Sequence, residues 1–225
     1  MPRKAVLALI VEMLLFAAVL FGAAGTWRWP EAWIFLLLFF GATAALTTWL
    51  ARHDPALLDE RMKSPVQKDQ PVWDRIFLLA MVPLFFAWLG VMGLDAVRFH
   101  STAFPLWLKA VGAAGLLLAY AGLFRVFREN TFLAPVVKIQ QNRGQHVIST
   151  GPYAVVRHPM YAFAALLLLS TPILLGSLCG VGATVILLLL VSVRIPLEER
   201  TLLRGLPGYA DYRRRVRWRL VPFVW

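Results

Sequence analysis

Residues 140–161 read QQNRGQHVISTGPYAVVRHPMY, a polar stretch set between two blocks of membrane-grade apolar sequence. A segment carrying Gln, Asn, two Arg, two His and two Tyr does not cross lipid, yet it adjoins spans that do. Pro159 pushes the preceding His158 away from helical geometry. The proline itself suits a first helical position, where its missing N–H costs nothing. The spacing therefore predicts that Arg157, His158 and Tyr161 sit at the mouth of a transmembrane helix, where a polar ligand can be met.

Outward from this stretch, the composition is that of a membrane protein. The 225 residues are 60% hydrophobic and 16% charged, against roughly 45–50% and about 25% in soluble domains. Three runs reach about 20 apolar residues, the length that crosses a bilayer core. The net charge of +11 needs no nucleic-acid partner, because positive residues gather at the cytoplasmic ends of membrane helices. The single Cys179 excludes an intrachain disulfide and reads as a packing residue.

The apolar runs predict an all-α, polytopic transmembrane helix bundle of about six spans. They run from about Ala5 to Ala24, Glu31 to Leu50, Arg75 to Leu94, Leu106 to Phe127, Met160 to Leu175 and Leu178 to Leu197. The first exceeds the 7–15 residues of a signal-peptide core and reads as a retained helix. Trp27 and Trp29 read as an interfacial belt, and residues 51–74 as a polar loop. A single helix over 160–195 would measure about 50 Å against a core of roughly 30 Å, so it must fold back. Gly176, Ser177, Gly180 and Gly182 mark the turn. The fifth span is short and contains Pro172, so five spans with a partial hairpin is the other count. With the N-terminus inside, all of the 23 Lys and Arg except Arg28, Arg98 and Lys109 fall on the cytoplasmic side. Both termini and the central segment then share the cytoplasm, in what reads as the cytoplasmic membrane of a prokaryote. The chain reads as one integral membrane domain, 1–225, with a four-span part over 1–128 and a motif region over 138–216.

The sixth span ends Arg194-Ile195-Pro196-Leu197-Glu198-Glu199. Arg194 and Glu198 are four apart and share a helix face, and Pro196 favours a kink that leaves the Ser192 carbonyl unpaired. An ion pair at a helix end is the plainer reading of such a couple. The functional one is that Arg194 grips a carboxylate at the membrane boundary while Glu198 receives an ammonium.

The ordered set GPYxxxRHPMY, a hairpin, then EExxL and GYxxYRRRV resembles the isoprenylcysteine carboxyl methyltransferase family, within a wider group that includes phospholipid N-methyltransferases. The resemblance covers about Lys138 to Val216. It implies S-adenosyl-L-methionine in a cytoplasmic pocket between the pre-hairpin segment and the helix end after it. Carried over residue by residue, it implies cofactor contacts at Gln140, His146, Val147, Ile148, Tyr153, His158, Pro159, Met160, Tyr161 and Glu198. Arg194 matches the substrate arginine, and Arg157 joins it as a catalytic candidate. The spacing from His146 to Gly151 is one residue shorter than in the eukaryotic enzymes, and RGLPGY stands where they have FGxxY.

Methyl transfer from a sulfonium to a carboxylate of pKa about 4 needs no general base, so alignment and exclusion of water are what the protein must supply. No Ser-His-Asp, Cys-His or zinc-type set is present, which agrees with that demand and predicts no metal. The leading acceptor is an isoprenylcysteine-like carboxylate or another lipophilic molecule drawn from the membrane lipids. Three rivals stand beside it: a lipid amine N-methyltransferase, an NADPH-dependent sterol-type reductase with a similar Arg-His-Pro-x-Tyr element, and a non-catalytic scaffold. His53 and His100 read as solvated. Glu12 is an intramembrane acid, divided between function and packing. The basic run 213–219 reads as an anchor on anionic lipid or a lid over the cofactor. Oligomeric state is not legible.

Overall fold

The computed structural model describes residues 1–101 and 103–225, and among them every regular element is helical. Five helices are long and apolar enough to cross a membrane: α1 (Arg3–Ala24), α2 (Pro30–His53), α4 (Val72–Gly93, continued by a π-turn, Leu94–Arg98), α5 (Leu106–Glu129) and α7 (Leu178–Gly205). α6 (Pro159–Leu175) has 17 residues, about 25 Å against a core of roughly 30 Å, so it is a short arm. The partial-hairpin alternative thus describes the bundle better than six full spans.

The residues expected to form one polar loop, 51–74, instead contain α3 (Pro55–Arg61). Asp54 caps it by accepting from the Leu57 N–H at 2.9 Å, and Leu57 and Leu58 pack on Leu50 and Phe127. The seven residues of α3, about two turns, are too few to announce a helix on their own. A second short helix, α8 (Tyr209–Arg215), follows α7.

One apolar core runs through the bundle, with Phe16, Leu20, Phe35, Trp88, Leu89, Met92, Leu116 and Leu175 buried together. α5 and α6 approach closely because α5 offers glycines. A Cβ at Gly112 would collide with the Leu174 backbone, and one at Gly122 with the Phe163 ring. Small residues of this kind let membrane helices pack where no hydrophobic drive exists between them.

The α6–α7 turn is narrower than the sequence suggested. Gly176 takes the left-handed conformation at φ 78°, and the Ser177 hydroxyl accepts from the Gly180 N–H at 2.9 Å. Asp95 at the end of α4 accepts from Ser177 Oγ at 2.6 Å and from the Cys179 N–H at 3.0 Å. Gly180 and Gly182 lie inside α7, where Gly180 admits Met92 and Pro172. α7 runs unbroken through Pro196 for 28 residues, about 42 Å. Its last third therefore extends past a core of roughly 30 Å and carries Glu198 and Glu199 out of it.

Candidate functional site

The segment between α5 and α6 folds across the bundle end rather than away from it. Asn130 Nδ2 donates to the Tyr153 hydroxyl at 2.8 Å. The Tyr212 hydroxyl of α8 donates to the Tyr153 carbonyl at 2.8 Å. The C-terminal tail then runs beside the α6 mouth, where the N–H groups of Arg157 and His158 donate to the carbonyls of Trp218 and Arg219, each at 2.9 Å. Here Pro159 opens α6 with His158 as its N-cap, in a non-helical conformation, as the X-Pro rule requires.

Two buried carboxylates organise the polar groups. Glu199 accepts from Arg157 Nε at 2.6 Å and from Arg219 Nε at 3.2 Å, with His158 Nε2 at 3.3 Å. Arg157 also donates through Nη1 to the carbonyls of Val216 and Arg217, at 2.8 and 2.7 Å. Asp74, at the start of α4, accepts from Arg194 Nε at 3.0 Å, from Gln70 Nε2 at 2.7 Å and from the Val137 N–H at 2.9 Å. Arg194 Nη2 reaches the Pro135 carbonyl at 3.1 Å. Nη1 of Arg194 takes part in none of these bonds. The guanidinium lies 5.1 Å from the Phe77 ring and 5.8 Å from the Tyr161 ring, so ring faces add to its restraint.

Between these clusters lies a cavity of about 110 Å³. Its polar wall has Arg194, Glu198, His158, Tyr161 and Asn130, and its apolar wall has Phe132, Val147, Ile148, Met160, Leu202 and Leu206. The Tyr161 hydroxyl donates to Glu198 Oε2 at 2.6 Å. Tyr209 also lines the cavity, and its buried hydroxyl has no partner among the described residues. Burial raises the Tyr153, Tyr209 and Tyr212 phenols above their ordinary range, so all three stay neutral hydroxyls at physiological pH.

The structure brings together most of the residues singled out from the sequence. His146, Val147, Ile148, Tyr153, Arg157, His158, Met160, Tyr161, Arg194 and Glu198 all border this cavity. Two do not. Gln140 is buried with Nε2 on the Phe132 carbonyl and Oε1 accepting from Arg143 Nη1, both at 2.7 Å. It shapes the loop rather than facing the cavity. Pro159 faces a different groove. Arg157 borders the cavity while its Nε and Nη1 are taken up by Glu199 and the tail carbonyls, so it also ties the site's frame together. The plainer reading of Arg194 and Glu198, an ion pair four apart, gives way to separate partners: Asp74 for the arginine and Tyr161 for the acid.

Four contributors escaped sequence reasoning. Asp74 looked like the last residue of a polar loop, although an acid beside an apolar span is itself a signal that a cation waits inside. Glu199 was overshadowed by its neighbour. Tyr209 and Tyr212, in the GYxxYRRRV piece, read as packing or interfacial residues. Glu12 lies elsewhere, beside a separate cavity with Thr43, Tyr120 and Arg61.

With the geometry in place, the comparison with known families becomes specific. The model of the isoprenylcysteine carboxyl methyltransferase (ICMT) family matches residues 116–204. This part of the chain is similar to that family. No curated protein matches the chain. The ICMT match spans α6, α7 and the loop before them, and so contains Arg157, His158, Tyr161, Arg194 and Glu198. Asp74, Tyr209 and Arg219 lie outside it and complete the site from either flank. Five helices are long and apolar enough to cross a membrane among the described residues, and the stretch similar to the ICMT family includes two of the helices that frame the cavity.

Proposed function

We propose that the protein uses S-adenosyl-L-methionine to methylate the carboxylate of a lipophilic acceptor of the isoprenylcysteine type. The orphaned Tyr209 hydroxyl is the observation that carries the cofactor reading. A buried hydroxyl without a partner costs about 1–3 kcal/mol, and a ligand rich in polar edges relieves it. The donor set fits as well: Glu198 for an ammonium, apolar side chains for a base and ribose face, and Asn130 and His158 for polar edges. When bound, S-adenosyl-L-methionine supplies an electrophilic methyl group on a sulfonium.

The chain's own residues would then do three things. Arg194, pinned by Asp74 through Nε and Nη2, presents Nη1 to the acceptor carboxylate and orients its oxygen. Glu198, turned by the Tyr161 hydroxyl, holds the donor's positive end. The apolar wall keeps water from competing. An acceptor carboxylate of pKa about 4 is ionised already, so no base is required. Positioning of this kind is worth several kcal/mol of barrier. The charge asymmetry of the sequence supports a cytoplasmic cavity, with the acceptor arriving from the bilayer and 1–225 working as one domain.

A second reading, methylation of a lipid amine, draws on one observation: Asp74 offsets the Arg194 charge and weakens its bias toward anions. The family match speaks for either methyl transfer over the reductase reading. Labelling a membrane lipid extract with methyl-labelled donor tests the proposal. Label released by mild base identifies an ester. Base-stable label on amine lipids would replace the first reading with the second, and label in neither would defeat both.

A further inference from the structure

A second groove lies on the other face of the 151–163 segment, between the cytoplasmic end of α5 and the start of α6. It measures about 670 Å³ and shares no lining residue with the candidate active site. Its wall is apolar, built from Pro152, Val155, Pro159, Phe163 and Leu220, and its rim carries Arg125 and Arg128. Phe163 sits in the notch left by Gly122. Glu129, the one acid at the rim, is drawn aside: its carboxylate lies against Gly151 and accepts from the Thr150 hydroxyl.

Arg125 and Arg128 are both exposed and have no carboxylate partner among the described residues. They stand three apart on one helix face, a spacing at which like charges repel. α5 has 24 residues, about 36 Å, so its last turns extend beyond a core of roughly 30 Å to headgroup level. Two uncompensated cations at that depth above an apolar slot have the chemistry of an anionic phospholipid seat.

We propose that this groove holds one anionic phospholipid, its phosphate on Arg125 and Arg128 and one acyl chain along Phe163. The bound lipid backs the same segment that presents Tyr153, His158 and Tyr161 to the active site on its opposite face.

Native mass spectrometry of the detergent-purified protein tests this with phosphatidylglycerol and phosphatidylcholine as probes. The wild type is expected to retain one phosphatidylglycerol at least about tenfold more tightly than phosphatidylcholine. R125Q/R128Q should lose that preference and R125K/R128K should keep it. R213Q/R214Q/R215Q, altered in the exposed basic helix, should keep it too. Undiminished preference in R125Q/R128Q, or its loss only in the α8 variant, would overturn the proposal. So would displacement of the retained lipid by a farnesylated cysteine carboxylate, which would make the groove an acceptor site.

Discussion

Arg194 donates through Nε to Asp74 Oδ1 at 3.0 Å, a contact between residues 120 positions apart. Both partners are buried, the aspartate completely. The pair fixes the start of α4 to the point where α7 leaves the membrane core. Removing one member strands a charge, which typically costs about 3–5 kcal/mol. Asp74→Ala and Arg194→Ala should each lower the unfolding temperature markedly in detergent. The double variant should lose less than the sum of the two, since its members share one interaction. Full additivity would mean the pair contributes little as a pair.

Activity should divide differently from stability. Arg194→Lys keeps a charge but not the fork that spans Asp74 and the cavity. It should lose turnover by about a hundredfold, with donor affinity changed less than about threefold. Glu198→Gln should do the reverse in a binding titration, weakening the donor about tenfold as a charge-assisted contact is lost. Equal loss of donor affinity in both variants would refute this division of labour.

Tyr209→Phe removes a buried hydroxyl that has no hydrogen-bond partner among the described residues. The ligand-free variant should be as stable as the wild type or about 1 kcal/mol more so. Its donor affinity should fall about fivefold or more. A variant that is destabilised without ligand yet binds the donor normally would show the hydroxyl to have a structural partner instead.

Arg157 serves Glu199 and two tail carbonyls with one guanidinium, a geometry that a lysine ammonium does not reproduce. Arg157→Lys should loosen residues 216–225, read as faster amide exchange of the Arg157 and His158 N–H groups. Glu199→Gln should loosen the same stretch, because Arg219 shares that carboxylate. Unchanged exchange in both would remove Arg157 from the frame.

Glu60 gives the bundle an acid-sensitive joint. Burial favours its neutral form, but hydrogen bonds and charge from Lys138 and Lys63 outweigh it and hold its pKa below the ordinary 4.5. The contribution is therefore complete above about pH 4.5 and is lost as pH falls through the depressed value. Thermal unfolding followed from pH 6 downward should show a drop that Glu60→Gln makes shallower. Because Lys138 adjoins the cavity wall, the same titration should reduce donor binding. A variant with the wild-type pH profile would rule Glu60 out as the source.

The apolar runs, the short fifth arm, the polar segment at its mouth and the Arg194–Glu198 helix end were all legible in the sequence. Each is a property of neighbours along the chain, and the bilayer reads such runs by length and polarity alone. Pro159 likewise announced a helix start from purely local sterics. What the sequence could not announce was partnership. Asp74 rather than Glu198 holds Arg194, and Glu199 gathers Arg157, His158 and Arg219 into one cluster. Gln140 turns inward and Pro159 outward. Those choices depend on which charges the packing of α4, the loop and the tail brings within a few ångströms in a medium of low dielectric. There an unpaired charge is costly and a partner at hand decides its orientation, so only the tertiary structure assigned these roles.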